Sequence, residues 1–410
     1  MRAAARAKPK LPLEYNLLLT ATLCLLALGA VMVYSASSAR TLLQGDGDGT
    51  TYLVRYVAYG GVGFVALHVI ARRGLDSVVA LTGPLMAFSF ACLVAVKLPG
   101  LGVTVNGARR WLGAGPLTFQ PSEVAKLALV LYGAKFLAQK PGRIRTPREA
   151  MPLLLVAGTM LLLVASQPDL GTALVIAFTL TALLVAGGFP VRYLLMGAGV
   201  AAFLVTVYAL SEPYRRARLT TFIDPWSHAG GAGFQAVQGQ IALGSGGLFG
   251  RGIGQSVQKI FYLPEAHTDF ILAIIGEELG VAGVTAVLFL YGLLAYAGLR
   301  VAKAAKGAYA KLLAAGITSL ILSQACLNVF AVLGLAPLTG VPLPFISYGA
   351  TNLTVLLAGM GLLLNVAAGG SAHLRVVAGS RRHGSDDRHR GGRDSGARGA
   401  GAGRRRRAAG

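Results

Sequence analysis

Charge is what this sequence has least of. Only 13% of its 410 residues are Asp, Glu, Lys or Arg, against about 25% in an ordinary soluble domain. Acids are the scarcer sign: 16 Asp and Glu stand against 38 Lys and Arg, a formal net charge of +22. Cysteine is nearly absent. Cys24, Cys92 and Cys326 each lie inside an apolar run, and none is paired by spacing. Neither a disulfide framework nor a zinc site is implied. With 54% hydrophobic residues and a mean hydropathy of +0.62, the composition excludes an ordinary soluble globule. A soluble protein of this positive charge would point to nucleic acid. Here the basic residues fall between apolar runs and in the C-terminal tail, so no nucleic-acid partner is expected.

What is abundant is long apolar sequence. A spanning helix needs about 20 mostly apolar residues. Such runs occur near 16–36, 52–71, 77–97, 122–138, 151–166, 170–188, 191–210, 269–299, 309–334 and 346–368. The first follows Arg2, Arg6, Lys8 and Lys10 and is too long for a signal-peptide core, so it reads as a retained helix. The fifth and sixth are separated only by Gln167-Pro168-Asp169, a tight hairpin. The short loops set the orientation. Arg72 and Arg73, then Lys135, Lys140, Arg143, Arg145 and Arg148, then Arg192, then Arg300, Lys303, Lys306 and Lys311 all fall on one side, with Arg375, Arg381 and Arg382 of the tail. The expected fold class is therefore an all-α polytopic membrane protein with about ten transmembrane helices. Both termini are expected to be cytoplasmic, with a large extracytoplasmic loop between the seventh and eighth helices. The expected organisation is a basic N-terminus over 1–14, a transmembrane domain over 15–368 and a disordered basic tail over 369–410. The two long outer segments are Leu98 to Gln120 and Ser211 to Thr268. No internal repeat and no inverted pair of broken helices is visible.

Polar residues at membrane depth are costly and need a reason. Asp269 follows Tyr262-Leu263-Pro264-Glu265-Ala266-His267-Thr268, where the large loop meets the eighth helix. It is expected in that helix's first turn. Either Thr268 or Asp269 is an N-cap, or Asp269 is a carboxylate placed as a general base. Glu277 and Glu278 lie about two turns further on; they form a structural pair or a proton relay. Glu123 and Lys126 follow the helix start at Gln120-Pro121-Ser122, share a face and can pair. The alternative is that Lys126 meets an anionic ligand. The outer loops hold Arg109-Arg110-Trp111, Arg215, Arg216, Arg218, Arg251 and Lys259. Trp111 suits an interfacial anchor, and the arginines suit surface ion pairs or a polyanionic head group such as a pyrophosphate. The last outer loop, Gly334 to Gly349, contains Pro337, Pro342 and Pro344 and cannot be regular helix. At membrane depth such a segment lines a cavity or is buried in protein.

These stretches together resemble the SEDS family of bacterial polytopic proteins: FtsW, RodA and SpoVE. The matching segments are Tyr34-Ser35-Ala36-Ser37-Ser38, Gly107-Ala108-Arg109-Arg110-Trp111-Leu112, Gln120-Pro121-Ser122-Glu123 with Lys126, and Gln167 to Thr172. They continue with Leu263 to Phe270, Gly276-Glu277-Glu278-Leu279-Gly280, Pro337 to Gly340 and Leu343 to Gly349. They come in family order over about residues 15–368. Tyr214-Arg215-Arg216 with Arg218, Phe222 to Trp226 and Glu265-Ala266-His267 resemble the FtsW branch most. One departure is visible. Gly349-Ala350-Thr351-Asn352 stands where the family pattern has Gly-Gly-Ser-Ser.

The resemblance implies a peptidoglycan glycosyltransferase that polymerises lipid II at the outer face of the bacterial cytoplasmic membrane, in septal wall synthesis. A RodA-like elongation polymerase, a lipid II flippase and a scaffold without chemistry are the alternatives. It implies Asp269 as the catalytic carboxylate, Trp111 as a second essential residue, and Glu123 with Lys126 as a polar pair in a central cavity. The leaving pyrophosphate would meet Arg109, Arg110, Arg215, Arg218, Lys126 or Lys259, with or without a divalent metal such as Mg or Mn. Glu265, His267 and Ser347 complete the expected substrate-facing set. The implied partners are the lipid-linked glycan, a class B penicillin-binding protein that crosslinks the strand, and other divisome proteins.

Overall fold

The computed structural model describes residues 12–44, 48–105, 108–114, 117–140, 142, 144–210, 221–231, 233–260 and 262–372. The basic N-terminus over 1–11, Arg215, Arg216, Arg218 and the tail beyond 372 lie outside these residues. Each of the ten apolar runs forms one long helix: α1 Leu13–Gln44, α2 Thr51–Arg72, α3 Leu75–Ala95, α4 Pro121–Gln139, α5 Pro147–Ala165, α6 Leu170–Ala186, α7 Val191–Leu210, α9 Ile271–Ala304, α10 Ala308–Val332 and α11 Ala350–Ala367. A shorter helix, α8 Phe234–Ser245, lies in the large loop. By length and apolarity seven of these can cross a membrane: α1, α2, α3, α5, α9, α10 and α11. The protein is an all-α polytopic membrane protein.

Helix α1 runs well past the apolar stretch that signals it. Its C-terminal part holds hydroxyl side chains that bond their own helix: Ser37 donates to the Val33 carbonyl at 2.7 Å and Thr41 to the Ser37 carbonyl at 2.6 Å. Hydroxyls satisfied in this way travel in a buried helix at little cost.

The helices sort into a core and a rim. α10 and α11 are 72% and 78% buried over their apolar windows, against 17% for α2 and 22% for α3. The exposed face of α2 carries Val54, Val57, Val62, Phe64, Val65 and Val69, which suits contact with lipid. Its other face meets α11 closely: a Cβ on Gly361 would stand 2.6 Å from the Leu67 carbonyl oxygen. Small residues of this kind let membrane helices approach. Asn365 of α11 then caps α2, donating at 3.0 Å to the Ile70 carbonyl and at 3.1 Å to that of Ala71.

Two features differ from expectation. The segment before α4, expected only as a long loop, is a three-stranded antiparallel sheet: β1 Gly102–Val105, β2 Ala108–Ala114 and β3 Leu117–Phe119, in that order. Val103 pairs with Trp111 and Leu112 with Phe119. Strands this short give too little alternation to register beside long apolar runs.

The other difference is a break inside α9. Gly280 has φ 67 and ψ −163, a conformation open to glycine and strained for other residues. Residues of the large loop enter the gap. Arg251 and Gly252 donate their N–H groups to the Glu277 and Glu278 carbonyls, both at 3.0 Å. Val281 and Ala282 donate instead to Gly247 at 2.9 Å and Leu248 at 3.0 Å. The helix bonds lost at the break are thus replaced one for one, as burial demands.

Candidate active site

The site forms where the segment before α9, the loop between α10 and α11, and the N-terminal end of α2 meet. Asp269 lies two residues ahead of α9, not in its first turn as expected. Phe270 is the N-cap residue and no side chain caps the helix. The capping alternative for Asp269 is therefore not what the structure shows. Its Oδ1 accepts from the Thr268 hydroxyl at 3.1 Å, a hydroxyl also 3.2 Å from Glu265 Oε2. Burial pushes the Asp269 carboxyl up to about 7, with the Glu265 charge adding to the rise and its hydrogen bonds opposing it. That places it where a general base works best. Gly340, at φ 67 in the facing loop, has its Cβ direction 3.9 Å from Asp269 Oδ2.

Backbone strain collects here. Of three described non-glycine residues with positive φ, two lie here, Glu265 at φ 55 and Phe345 at φ 64; the third, Pro168, lies in the α5–α6 hairpin. Such strain persists only where surroundings enforce it. Tyr56 and Tyr291 do so for the second, donating at 2.6 Å to the Phe345 carbonyl and at 2.5 Å to that of Pro344.

His267 is buried between rings, 4.4 Å from Tyr52 and 5.7 Å from Tyr348, centroid to centroid. Its carbonyl accepts from the Tyr348 N–H at 3.0 Å, which ties the two loops together. Burial drives the imidazole down to about 4; the Arg40 charge lowers it further and Glu265 opposes. It is neutral at physiological pH and packs against the Tyr52 and Tyr348 rings. Ser347 also builds the loop, its hydroxyl accepting the Leu343 N–H at 2.7 Å.

The Glu123–Lys126 pair is present at 2.9 Å, and both residues are 2% exposed. Asn352 donates to Glu123 at 2.6 Å and Lys126 donates to Gln324 at 2.9 Å. Asn352 is the last residue of the stretch that departs from the family pattern. Gln324 donates onward to the Pro342 carbonyl at 3.0 Å. The pair thus braces the loop that faces Asp269.

Lys259 corrects an expectation. Expected as an outer-loop cation for pyrophosphate, it is buried and bonds Glu278 at 2.8 Å and Ser35 at 3.1 Å. Glu277 accepts from Ser256 at 2.6 Å and from the Val257 N–H at 3.0 Å. Both carboxylates are fully buried with fixed partners, which favours the structural pair over a proton relay.

In the sheet, the three motif residues take different roles. Arg110 donates to the Gln167 carbonyl at 3.1 Å and also to Pro168, clipping β2 to the α5–α6 hairpin. Arg109 is exposed and Trp111 half-buried. Two further cations went unnoticed in the sequence because they sit at the ends of apolar runs. Arg40 lies in the C-terminal part of α1 near His267, and Arg55, near the start of α2, lies near Tyr348. Among the described residues no three His, Cys, Asp or Glu side chains converge. These residues do not form a divalent-ion cage of their own.

Among the described residues, ten long helices, seven of them long and apolar enough to cross a membrane, define a polytopic membrane protein. Residues 15–371 match the family model for the cell cycle proteins FtsW, RodA and SpoVE, and the chain belongs to this family. Stage V sporulation protein E of Bacillus subtilis (strain 168) is 41% identical over 354 residues, 86% of this chain and 96% of the relative. A protein named probable peptidoglycan glycosyltransferase FtsW, from Geobacter sp. (strain M18), is 39% identical over 341 residues, 83% of this chain and 92% of the relative. Among solved structures, a chain from work on polymerization and crosslinking by a peptidoglycan synthase complex superposes with a TM-score of 0.71 at 32% identity, covering 85% of this chain and 96% of that one. The rod shape determining protein RodA of Thermus thermophilus superposes with a TM-score of 0.63 at 30% identity, covering 85% and 95%.

Proposed function

We propose that this protein is a peptidoglycan glycosyltransferase that polymerises lipid II, with Asp269 as its general base. The observation that carries the reading is the state of Asp269: raised to about 7 by burial and engaged in no helix cap. The names of its relatives support the reaction class.

In the reaction the 4-hydroxyl of one sugar attacks the anomeric carbon of a lipid-linked glycan. The new C–O bond forms as the bond to pyrophosphate breaks. The Asp269 carboxylate takes the hydroxyl proton, which later leaves to solvent. Undecaprenyl pyrophosphate departs and needs positive charge around it. Arg109 is the exposed cation of the β2 motif, and Arg40 and Arg55 stand near His267 and Tyr348. Arg215 and Arg218 belong to the same proposed set. Substrate held in the membrane by its lipid is already confined to the surface where Asp269 waits, which supplies proximity.

The distribution of Lys and Arg in the loops supports both termini in the cytoplasm and Asp269 outside. The septum is the proposed location, a class B transpeptidase with other divisome proteins the proposed partners, and residues 369–410 a cytoplasmic tail. Full-length protein purified with its transpeptidase and given lipid II makes glycan strands, read on a gel. A flippase makes none. Depletion in cells gives filaments for a septal role and round cells for elongation.

A further inference from the structure

Helix α9 begins at Ile271, and a side chain in a neighbouring helix holds the carbonyl of Asp269 just ahead of it. Extended one step back, the helix would bond the Asp269 carbonyl to the Ala273 N–H. Instead the Ala273 N–H goes to the Phe270 carbonyl at 2.9 Å, and the Ile274 N–H reaches the same oxygen at 3.4 Å. The Asp269 carbonyl accepts from Asn328 Nδ2 at 2.7 Å. The same nitrogen donates at 2.8 Å to the Val341 carbonyl in the proline-rich loop. Asn328 lies in α10 and is 2% exposed. Its Oδ1 is buried with no hydrogen-bond partner among the described residues.

Gln324, one helical turn earlier, does a related job and differs in a telling way. Its Nε2 holds the Pro342 carbonyl and its Oε1 is taken by Lys126. Both ends of Gln324 are used, and its reach stops at the loop. Among the described residues Asn328 alone joins the loop to the Asp269 carbonyl, and it leaves an acceptor unpaired there. A buried unpaired amide oxygen is costly, so a structure built for stability alone would fill it.

We propose that Asn328 is a positioning residue for Asp269: it draws the Asp269 carbonyl out of the helix ladder, fixes where α9 begins, and so holds the carboxylate beside Thr268 and Gly340. Without that amide the carbonyl is free to take the Ala273 N–H. Asp269 then becomes the N-cap residue and Phe270 the first helical residue, which turns the backbone that carries the carboxylate. The carboxylate then leaves its place beside Thr268 and Gly340, and a displacement of about 1 Å is enough to cost about 100-fold in rate. This inference rests on Asp269 being the base.

The test uses full-length protein purified with its transpeptidase and lipid II as substrate. Asn328→Leu keeps the volume and removes the donor. It is expected to lower kcat about 100-fold, the cost of misplacing a catalytic group by about 1 Å, with KM near the parent value. The acid limb of its pH profile moves from near 7 toward the ordinary carboxylate range, because a released Asp269 reaches water. Asn328→Ser, which keeps a smaller donor, is expected to recover part of kcat and of the limb. If Asn328→Leu does not fold, Asn328→Ser is the deciding variant and must show the same split in weaker form. Parent kcat and parent limb in folded variants overturn the proposal. So does activity that falls only with the folded fraction while the limb stays in place. Asp269→Ala in the same assay keeps the two readings apart. If it is active, the base is misassigned. If it is inactive while Asn328 variants behave as parent, only the role of Asn328 fails.

Discussion

Removing the Lys259 ammonium distinguishes a structural cation from a substrate cation. Lys259 is 5% exposed and sits 2.8 Å from Glu278, itself 0% exposed. Lys259→Met leaves the Glu278 charge with the Ser35 hydroxyl at 2.7 Å and the Ser256 N–H at 3.4 Å. Two neutral donors do not replace a cation in the interior, and breaking a buried pair from one side costs about 3–5 kcal/mol. Lys259→Met with Glu278→Gln removes both charges and keeps an acceptor for Ser35. That double variant is expected within about 1–2 kcal/mol of the parent, a coupling of about 2 kcal/mol or more. Denaturant unfolding in detergent micelles gives all four corners of the cycle. KM for lipid II, measured per folded molecule, stays at the parent value. A single variant within about 0.5 kcal/mol of the parent, combined with a raised KM, would refute the structural role and return Lys259 to the pyrophosphate set.

Other outcomes follow from the same geometry. With Asp269 raised to about 7 by burial, kcat/KM climbs with pH through that value and falls about tenfold per pH unit below it. A flat profile from about pH 6 to pH 8 contradicts the assignment. The same shift has a stability consequence. The folded state holds the Asp269 proton more tightly than the unfolded chain does, so its contribution is complete below 3.8 and is lost as pH rises through about 7. Unfolding of Asp269→Asn lacks that dependence. Gly280→Ala puts a Cβ 2.6 Å from the Leu248 carbonyl atoms at φ 67 and is expected to destabilise by about 2–3 kcal/mol or more. Gly292→Ala, in the same helix with nothing within 4 Å, is expected to be neutral or stabilising by about 0.5–1 kcal/mol. Thermal unfolding of both variants in micelles checks the contrast.

The bundle was open to reading because each spanning helix is a separate apolar run. The run at 52–71 became Thr51–Arg72 and that at 309–334 became Ala308–Val332. What escaped depends on contacts between distant segments. Nothing local marks Gly280 as the point where residues 247–252 enter α9; the exchange exists only once both are in place. Lys259 reads as one more loop cation until Glu278 and Ser35 are seen around it. Gln324 and Asn328 are single amides in an apolar helix, and no period exposes them. Asp269 stood out locally as a cap as much as a base, and the family resemblance chose between them. The structure then placed the helix start at Ile271 and left Asp269 outside it.

The most direct measurement is glycan polymerisation by Asp269→Asn protein. The change keeps the shape of the side chain and removes its basicity. Full-length parent and variant, purified with the transpeptidase and given lipid II, are compared by strand yield over time. The expected result is a loss of about 100-fold to 10,000-fold, with the variant as well folded as the parent and still bound to its transpeptidase. Polymer formed at a rate within about tenfold of the parent would contradict Asp269 as the base.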